Sequence, residues 1–162
     1  RWIGQAVLLV AFFGAIALLA GWPPYRQLEE GQAELKFSLR HSAARVGECR
    51  ERDAAELAAL PENMRAVMEC PRERSPIRLQ LDVNGARVVD ETLLPSGLHS
   101  DGLAVFYRRI RVPAGATRLD VRMNDDASKD GFQHNASCDR TIASEQVLVI
   151  DFDPATGAFQ CL

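Results

Sequence analysis

Few side chains in this sequence are placed to do chemistry. They are Cys49, Cys70, Cys138 and Cys161; His41, His99 and His134; Met64 and Met68; and Asp126, Ser128 and Asp130 in "DASKDG". The last three alternate as the first oxygen ligands of a calcium loop do, and Gly131 permits the sharp turn. The twelfth position is Ser137, where a bidentate glutamate is needed, so a solvated turn is the plainer expectation. In "MRAVMEC", Met64, Met68 and Cys70 offer the soft sulfur that Cu(I) prefers. A disulfide at Cys70 would remove the thiolate, and two methionines at i and i+4 more often pack on a helix face. The sequence has no C-x-x-C, G-x-S-x-G, H-E-x-x-H or P-loop, and its three histidines are scattered. The chain therefore reads as a non-enzyme, with no catalytic residue assigned and no cofactor expected. "NAS" at Asn135 would matter as a glycosylation acceptor only in a eukaryotic secretory protein.

The cysteines make better sense as structure. Four permit three pairings. Cys49–Cys70 and Cys138–Cys161 are favoured because each would tie neighbouring elements, the second joining two C-terminal strands. The first would close a loop of about twenty residues, which loop-closure entropy values at roughly 3 kcal/mol. Such bonds persist in an oxidising compartment.

The chain has 162 residues, one domain plus a small element. A net charge of -3 argues against nucleic-acid binding, which needs a concentrated basic surface. Arginine outnumbers lysine 17 to 2, as expected from a GC-rich, bacterial genome. The first residue is Arg1 and not methionine, so a few residues are expected before it.

From Trp2 to Trp22 no side chain is charged and only Gln5 is clearly polar. At 1.5 Å per residue this run spans about 30 Å, the thickness of a bilayer's hydrocarbon core. Trp2 and Trp22 lie where the two interfaces would be. Pro23 and Pro24 stop the helix. A cleaved secretory signal would have a shorter apolar core, and Leu18 stands where a small residue is wanted before a cut at Ala20. A retained anchor is thus favoured over a signal or a buried helix. Arg1 favours a cytoplasmic N-terminus, weakened by Arg26 on the other side. Gly14, Ala17 and Gly21 share one helix face, the kind of small-residue strip that lets membrane helices approach.

Beyond the linker, alternation takes over. "AELKFSLR" puts Ala33, Leu35, Phe37 and Leu39 on one side, with Glu34, Lys36, Ser38 and Arg40 on the other. "PIRLQLDV" turns at Asn84-Gly85, a hairpin signal, into "ARVVDETLL". "LAVFYRRIRV", "TRLDVRM", "CDRTIA", "QVLVIDF" and "AFQCL" follow. Seven or eight short strands predict an antiparallel β-sandwich, with a small barrel as the alternative. Residues 48–76 break the pattern: "DAAELAAL" predicts a short helix capped by Asp53 and stopped by Pro61. The organisation expected is a transmembrane helix over 1–22, a linker over 23–32, and an all-β domain over 33–162 with a disulfide-bracketed insertion at 48–76.

The strand pattern and "VPAGATRLDV" resemble immunoglobulin-like periplasmic domains, over 33–162. The fold implied hosts many functions and does not carry one. The function expected is a non-catalytic accessory subunit of a larger bacterial membrane complex. Its domain would lie on the periplasmic side of the inner membrane. Its partners would be integral membrane subunits, through helix and domain, and the lipid bilayer. By analogy of layout a respiratory or other electron-transfer assembly is the first expectation. The alternative is a stand-alone, membrane-tethered module that binds a ligand or delivers copper.

Overall fold

The alternating segments are strands because their branched and aromatic side chains pack on a pleated surface with one face dry. The computed structural model describes residues 1–22 and 28–162. An apolar helix α1, Trp2–Gly21, comes first. Ten strands follow: β1 Gln32–His41, β2 Arg50–Glu51, β3 Met68–Glu69, β4 Ile77–Val83, β5 Ala86–Leu93, β6 Ala104–Pro113, β7 Gly115–Asn124, β8 His134–Ile142, β9 Val147–Asp153 and β10 Ala158–Cys161. A short helix α2, Ala54–Ala59, and a 3-10 turn, Glu62–Met64, lie between β2 and β3. Pro23, Pro24, Arg26 and the first half of the predicted linker lie outside the described residues.

Eight strands form two four-stranded sheets, ordered β10-β9-β1-β6 and β5-β4-β7-β8. Their inner faces meet as a sandwich. Leu35, Phe37 and Leu39 of β1 oppose Leu79 and Leu81 of β4 and Leu119 and Val121 of β7, all at most 1% exposed. Phe37 stacks edge-on against Phe106 and Phe159 at 5.3 and 6.0 Å. Each such side chain contributes about 1.5–3 kcal/mol by leaving water.

Three expectations are corrected. The sheets are not wholly antiparallel: β1 and β9 run parallel from Glu34↔Val147 to Phe37↔Ile150. The pairing order is also not that of the immunoglobulin sandwich, in which the second strand lies between the first and the fifth. Here β1 lies between β6 and β9, and β4 between β5 and β7. Glu34, expected in solvent, is 4% exposed. Its carboxylate accepts two hydrogen bonds from Arg109, at 2.9 and 2.7 Å, so a charge is buried only because it is paired.

Local sequence explains how the sheets close. Asn84 and Gly85 both take positive φ, 51° and 80°, the two-residue turn whose twist matches a hairpin. Gly115 (φ 127°) turns the chain from one sheet into the other between β6 and β7, a backbone state that disfavours a side chain. The open sides of the sandwich differ. Cys138–Cys161 joins β8 to β10 across the two sheets. On the opposite side an Arg108–Glu91 ion pair spans β6 and β5, with Arg108 also lying over the Phe106 ring.

Candidate functional site

Strand directions sort the connections into two ends. β1 enters at Gln32, beside the turns at Asn84–Gly85, at Ala114 and at 143–146. The other end, called distal here because it lies farthest along β1 from the entry, gathers residues 42–76, 94–103 and 125–133 and the β9–β10 turn. These distal segments carry eleven Asp and Glu against seven Lys and Arg, a formal charge of -4 in a chain of -3.

The insertion is the largest of them. Arg50↔Glu69 and Glu51↔Met68 pair β2 with β3 as a short ribbon, and the Cys49–Cys70 disulfide pins its base. Asp53 caps α2: it accepts from the Glu56 N–H at 2.7 Å, while the Glu56 carboxylate accepts from the Asp53 N–H at 3.1 Å. Arg50 donates to both oxygens of Glu56, each at 3.0 Å, and also pairs with Glu69. Arg52 reaches Glu69 at 3.3 Å and the Ala66 carbonyl at 3.0 Å. Arg52, foremost, and Arg50 hold the Glu69 carboxyl below its ordinary range. Arg65 donates to the Leu60 carbonyl, Arg72 to Asp101, and Arg74 to the Ala43 carbonyl. Arg72 thereby ties the insertion to the β5–β6 loop.

Large apolar side chains stand exposed on the same end: Val46 just before the insertion, Met64, Val67 and Met68 on it, and Leu94 and Leu98 on the neighbouring loop. Met64 lies in the 3-10 turn and Met68 in β3, so the shared helix face expected from their spacing is not formed.

Beneath the loops the fold builds a cluster that the sequence reading missed. The Nε2 of His41, at the end of β1, lies 2.8 Å from Asp125 Oδ2. The Nε2 of His134, at the start of β8, lies 3.4 Å from Asp125 Oδ1. His134 Nδ1 sits 2.9 Å from the Gly157 carbonyl, which can only accept, so that nitrogen carries a hydrogen. Both rings pack edge-on against Phe152, at 4.9 and 5.3 Å. A carboxylate orienting an imidazole is two-thirds of a hydrolytic triad. A nucleophile would face the other nitrogen, but His41 Nδ1 is buried with no partner. The cluster ties β1, the β7–β8 loop and the β9–β10 turn together. Its members lie 84 and 93 positions along the chain from His41 in no known motif, so no local signal announces them.

The other predicted residues are placed plainly. The Asp126 carboxylate accepts from the Ser128 N–H at 3.1 Å and hydroxyl at 2.6 Å, and pairs with Lys129 at 3.1 Å. Ser128 first and then Lys129 lower its pKa. That is a self-satisfied turn, and the Asp130 side chain is not one of its partners. A cleft of about 580 Å³ between Asp126–Ser128 and Arg45–Glu48, where the chain enters the insertion, is therefore lined by groups already engaged or open to water. Among the described residues no group of three or more His, Cys, Asp or Glu is arranged to hold a metal. All four cysteines are in the two disulfides, so Cys70 offers no thiolate. In α1, Gly14, Ala17 and Gly21 are exposed, with nothing within 4 Å of where a Cβ would stand on either glycine. Trp2 and Trp22 are exposed at its two ends. α1 has 20 residues, a mean hydropathy of 2.4 over an 18-residue stretch and no buried residue. It is compatible with a membrane anchor or with a signal sequence, and the disulfides accord with an oxidising compartment.

No family model matches the chain, and no curated protein and no solved structure is significantly similar to it.

Proposed function

We propose that this chain is a non-catalytic, single-pass accessory subunit of a bacterial membrane complex. In this reading α1 crosses the inner membrane, with Trp2 and Trp22 at its interfaces, and holds the sandwich on the periplasmic side. The small-residue face of α1 meets integral membrane subunits, and the distal loops meet a partner's outer part.

One observation carries the proposal. The end of the sandwich where β1 finishes combines long pinned loops with exposed Met64, Val67, Met68, Leu94 and Leu98. Exposed apolar side chains grouped on a rigid frame are what protein contacts use. The other end is closed by tight turns.

The test is extraction of the full chain from membranes in mild detergent, followed by size-exclusion chromatography and intact mass measurement. The expected result is a mass that retains residues 1–22 and co-elution with integral membrane subunits. A chain lacking the helix, or a monodisperse monomer without partners, overturns the proposal.

A further inference from the structure

The insertion mixes seven Asp and Glu with five Arg, a formal charge of -2, and "RERD" and "PRERS" interleave the two signs. Its exposed charge is more one-sided than that count, because the two signs are used differently. Arg50, Arg52 and Arg72 are bound to carboxylates, and Arg65 and Arg74 to carbonyls. Glu48, Glu51 and Glu62 have no such partner among the described residues. The arginines are turned to holding the insertion together, and carboxylates are left facing water.

These carboxylates lie beside the apolar groups. Glu51 stands directly opposite Met68 in the ribbon, on the face away from the Arg50–Glu69 pair. Glu62 is in the same 3-10 turn as Met64. Ala66 N–H bonds to the Met64 carbonyl, and the Val67 carbonyl accepts from Arg52, which seats this strip against β2. Met64, Val67 and Met68 are each at least half exposed. Methionine is flexible and polarizable, and suits a surface that must fit another chain's side chains.

We infer that the β2–β3 ribbon and the Glu62–Met64 turn form a docking face for a basic segment of a partner protein that carries a large apolar anchor. The methionines and Val67 take the anchor, and Glu48, Glu51 and Glu62 pair with its lysines or arginines. The charge pattern excludes an acidic partner, because unpaired like charges at a rim oppose association. The inference rests on the accessory-subunit reading and names the chemistry of its partner.

The test uses the full chain in zwitterionic lipid nanodiscs, with empty nanodiscs subtracted. The probes are three labelled synthetic peptides: a Leu/Arg amphipathic helix, its Leu/Glu counterpart, and an Arg/Ser peptide without anchors. The expected result is that only the Leu/Arg peptide binds well, and that its affinity falls as salt rises from about 50 mM to about 500 mM. Glu51→Lys with Glu62→Lys should weaken it about tenfold, and Met64→Ser with Met68→Ser several-fold. All four positions are exposed, and retained β-sheet circular dichroism confirms that the variants fold. Equal binding of the Leu/Glu peptide, or affinity unchanged by the charge reversal, overturns the inference. Co-elution of the native subunits is measured on the same charge-reversed variant. Persistence of co-elution there rejects the docking face while leaving the accessory reading intact. Absence of co-elution in the unaltered chain rejects the accessory reading itself.

Discussion

Where β1 begins, the sandwich closes with Asn84–Gly85, the Ala114 corner and residues 143–146. Where β1 ends, the chain leaves for residues 42–76 before it returns as β4, and three further loops crowd beside that excursion. The first end is made of short links, of two, one and four residues. The second adds a disulfide, a capped helix, a histidine–aspartate–histidine cluster and a -4 charge, none of which a sandwich needs to close. The contrast separates what holds the fold from what the fold holds up. It also implies that distal elements should be removable without unfolding the sheets.

The two disulfides offer the largest test. Cys138–Cys161 joins edge strands of opposite sheets, so Cys138→Ala with Cys161→Ala should lower global stability by about 3 kcal/mol, read as a shift in denaturant midpoint. Cys49→Ala with Cys70→Ala should leave that midpoint nearly unchanged while amide exchange quickens between residues 48 and 70, because the insertion can loosen locally. Equal midpoint shifts for both pairs would show the ends to be one cooperative unit and break the comparison.

The next effect lies between the ends, on the outer faces of the sheets. Arg109, through its hydrogen bonds, lowers the Glu34 pKa; Arg87 does the same for Asp82, and the Ser137 hydroxyl for Asp120. A carboxylate lowered on folding stabilises above its unfolded value and loses that contribution as pH falls through the folded one. Stability should therefore fall on acidification from about pH 4.5 downward. Arg109→Ala leaves Glu34 buried without its partner and should cost about 1–3 kcal/mol at neutral pH. It should also flatten the acid dependence, since the shift goes with its cause. Urea midpoints across the pH series check both, and an unchanged acid slope would remove Glu34 from the account.

Much of this was legible in the sequence. β1, β4 and β7 announce themselves because their inward residues alternate without interruption. Asn84–Gly85 and the Asp53 cap are local rules, satisfied within four residues. What alternation cannot convey is which strand lies beside which, so the parallel β1–β9 pair and the order around β1 and β4 come from tertiary packing alone. Glu34 shows the same limit at one residue: its burial depends on Arg109, 75 positions away. The candidate surface was half legible. The cysteines and the break in period marked the excursion, but arginines interleaved among its acids, five against seven, hid the free carboxylates, because only coordinates show which arginines are already engaged. His41, Asp125 and His134 were invisible for the same reason.

The smallest effect sits at α2. Six residues cannot sustain a helix in water, since nucleation is unfavourable and few bonds follow it. What holds this one is its first turn: Asp53 satisfies the Glu56 N–H, Glu56 returns the bond, and Arg50 fixes the Glu56 carboxylate to the ribbon. Asp53→Ala removes the acceptor and should cost about 1 kcal/mol. That cost should appear only as faster proteolysis or amide exchange across residues 54–60, with the melting temperature of the sheets unchanged. Asp53→Asn keeps an acceptor at the cap and should restore protection, which ties the effect to the hydrogen bond and not to lost charge. If Asp53→Ala instead lowers the melting temperature of the sheets, α2 is coupled to the core. The distal end would then belong to what holds the fold.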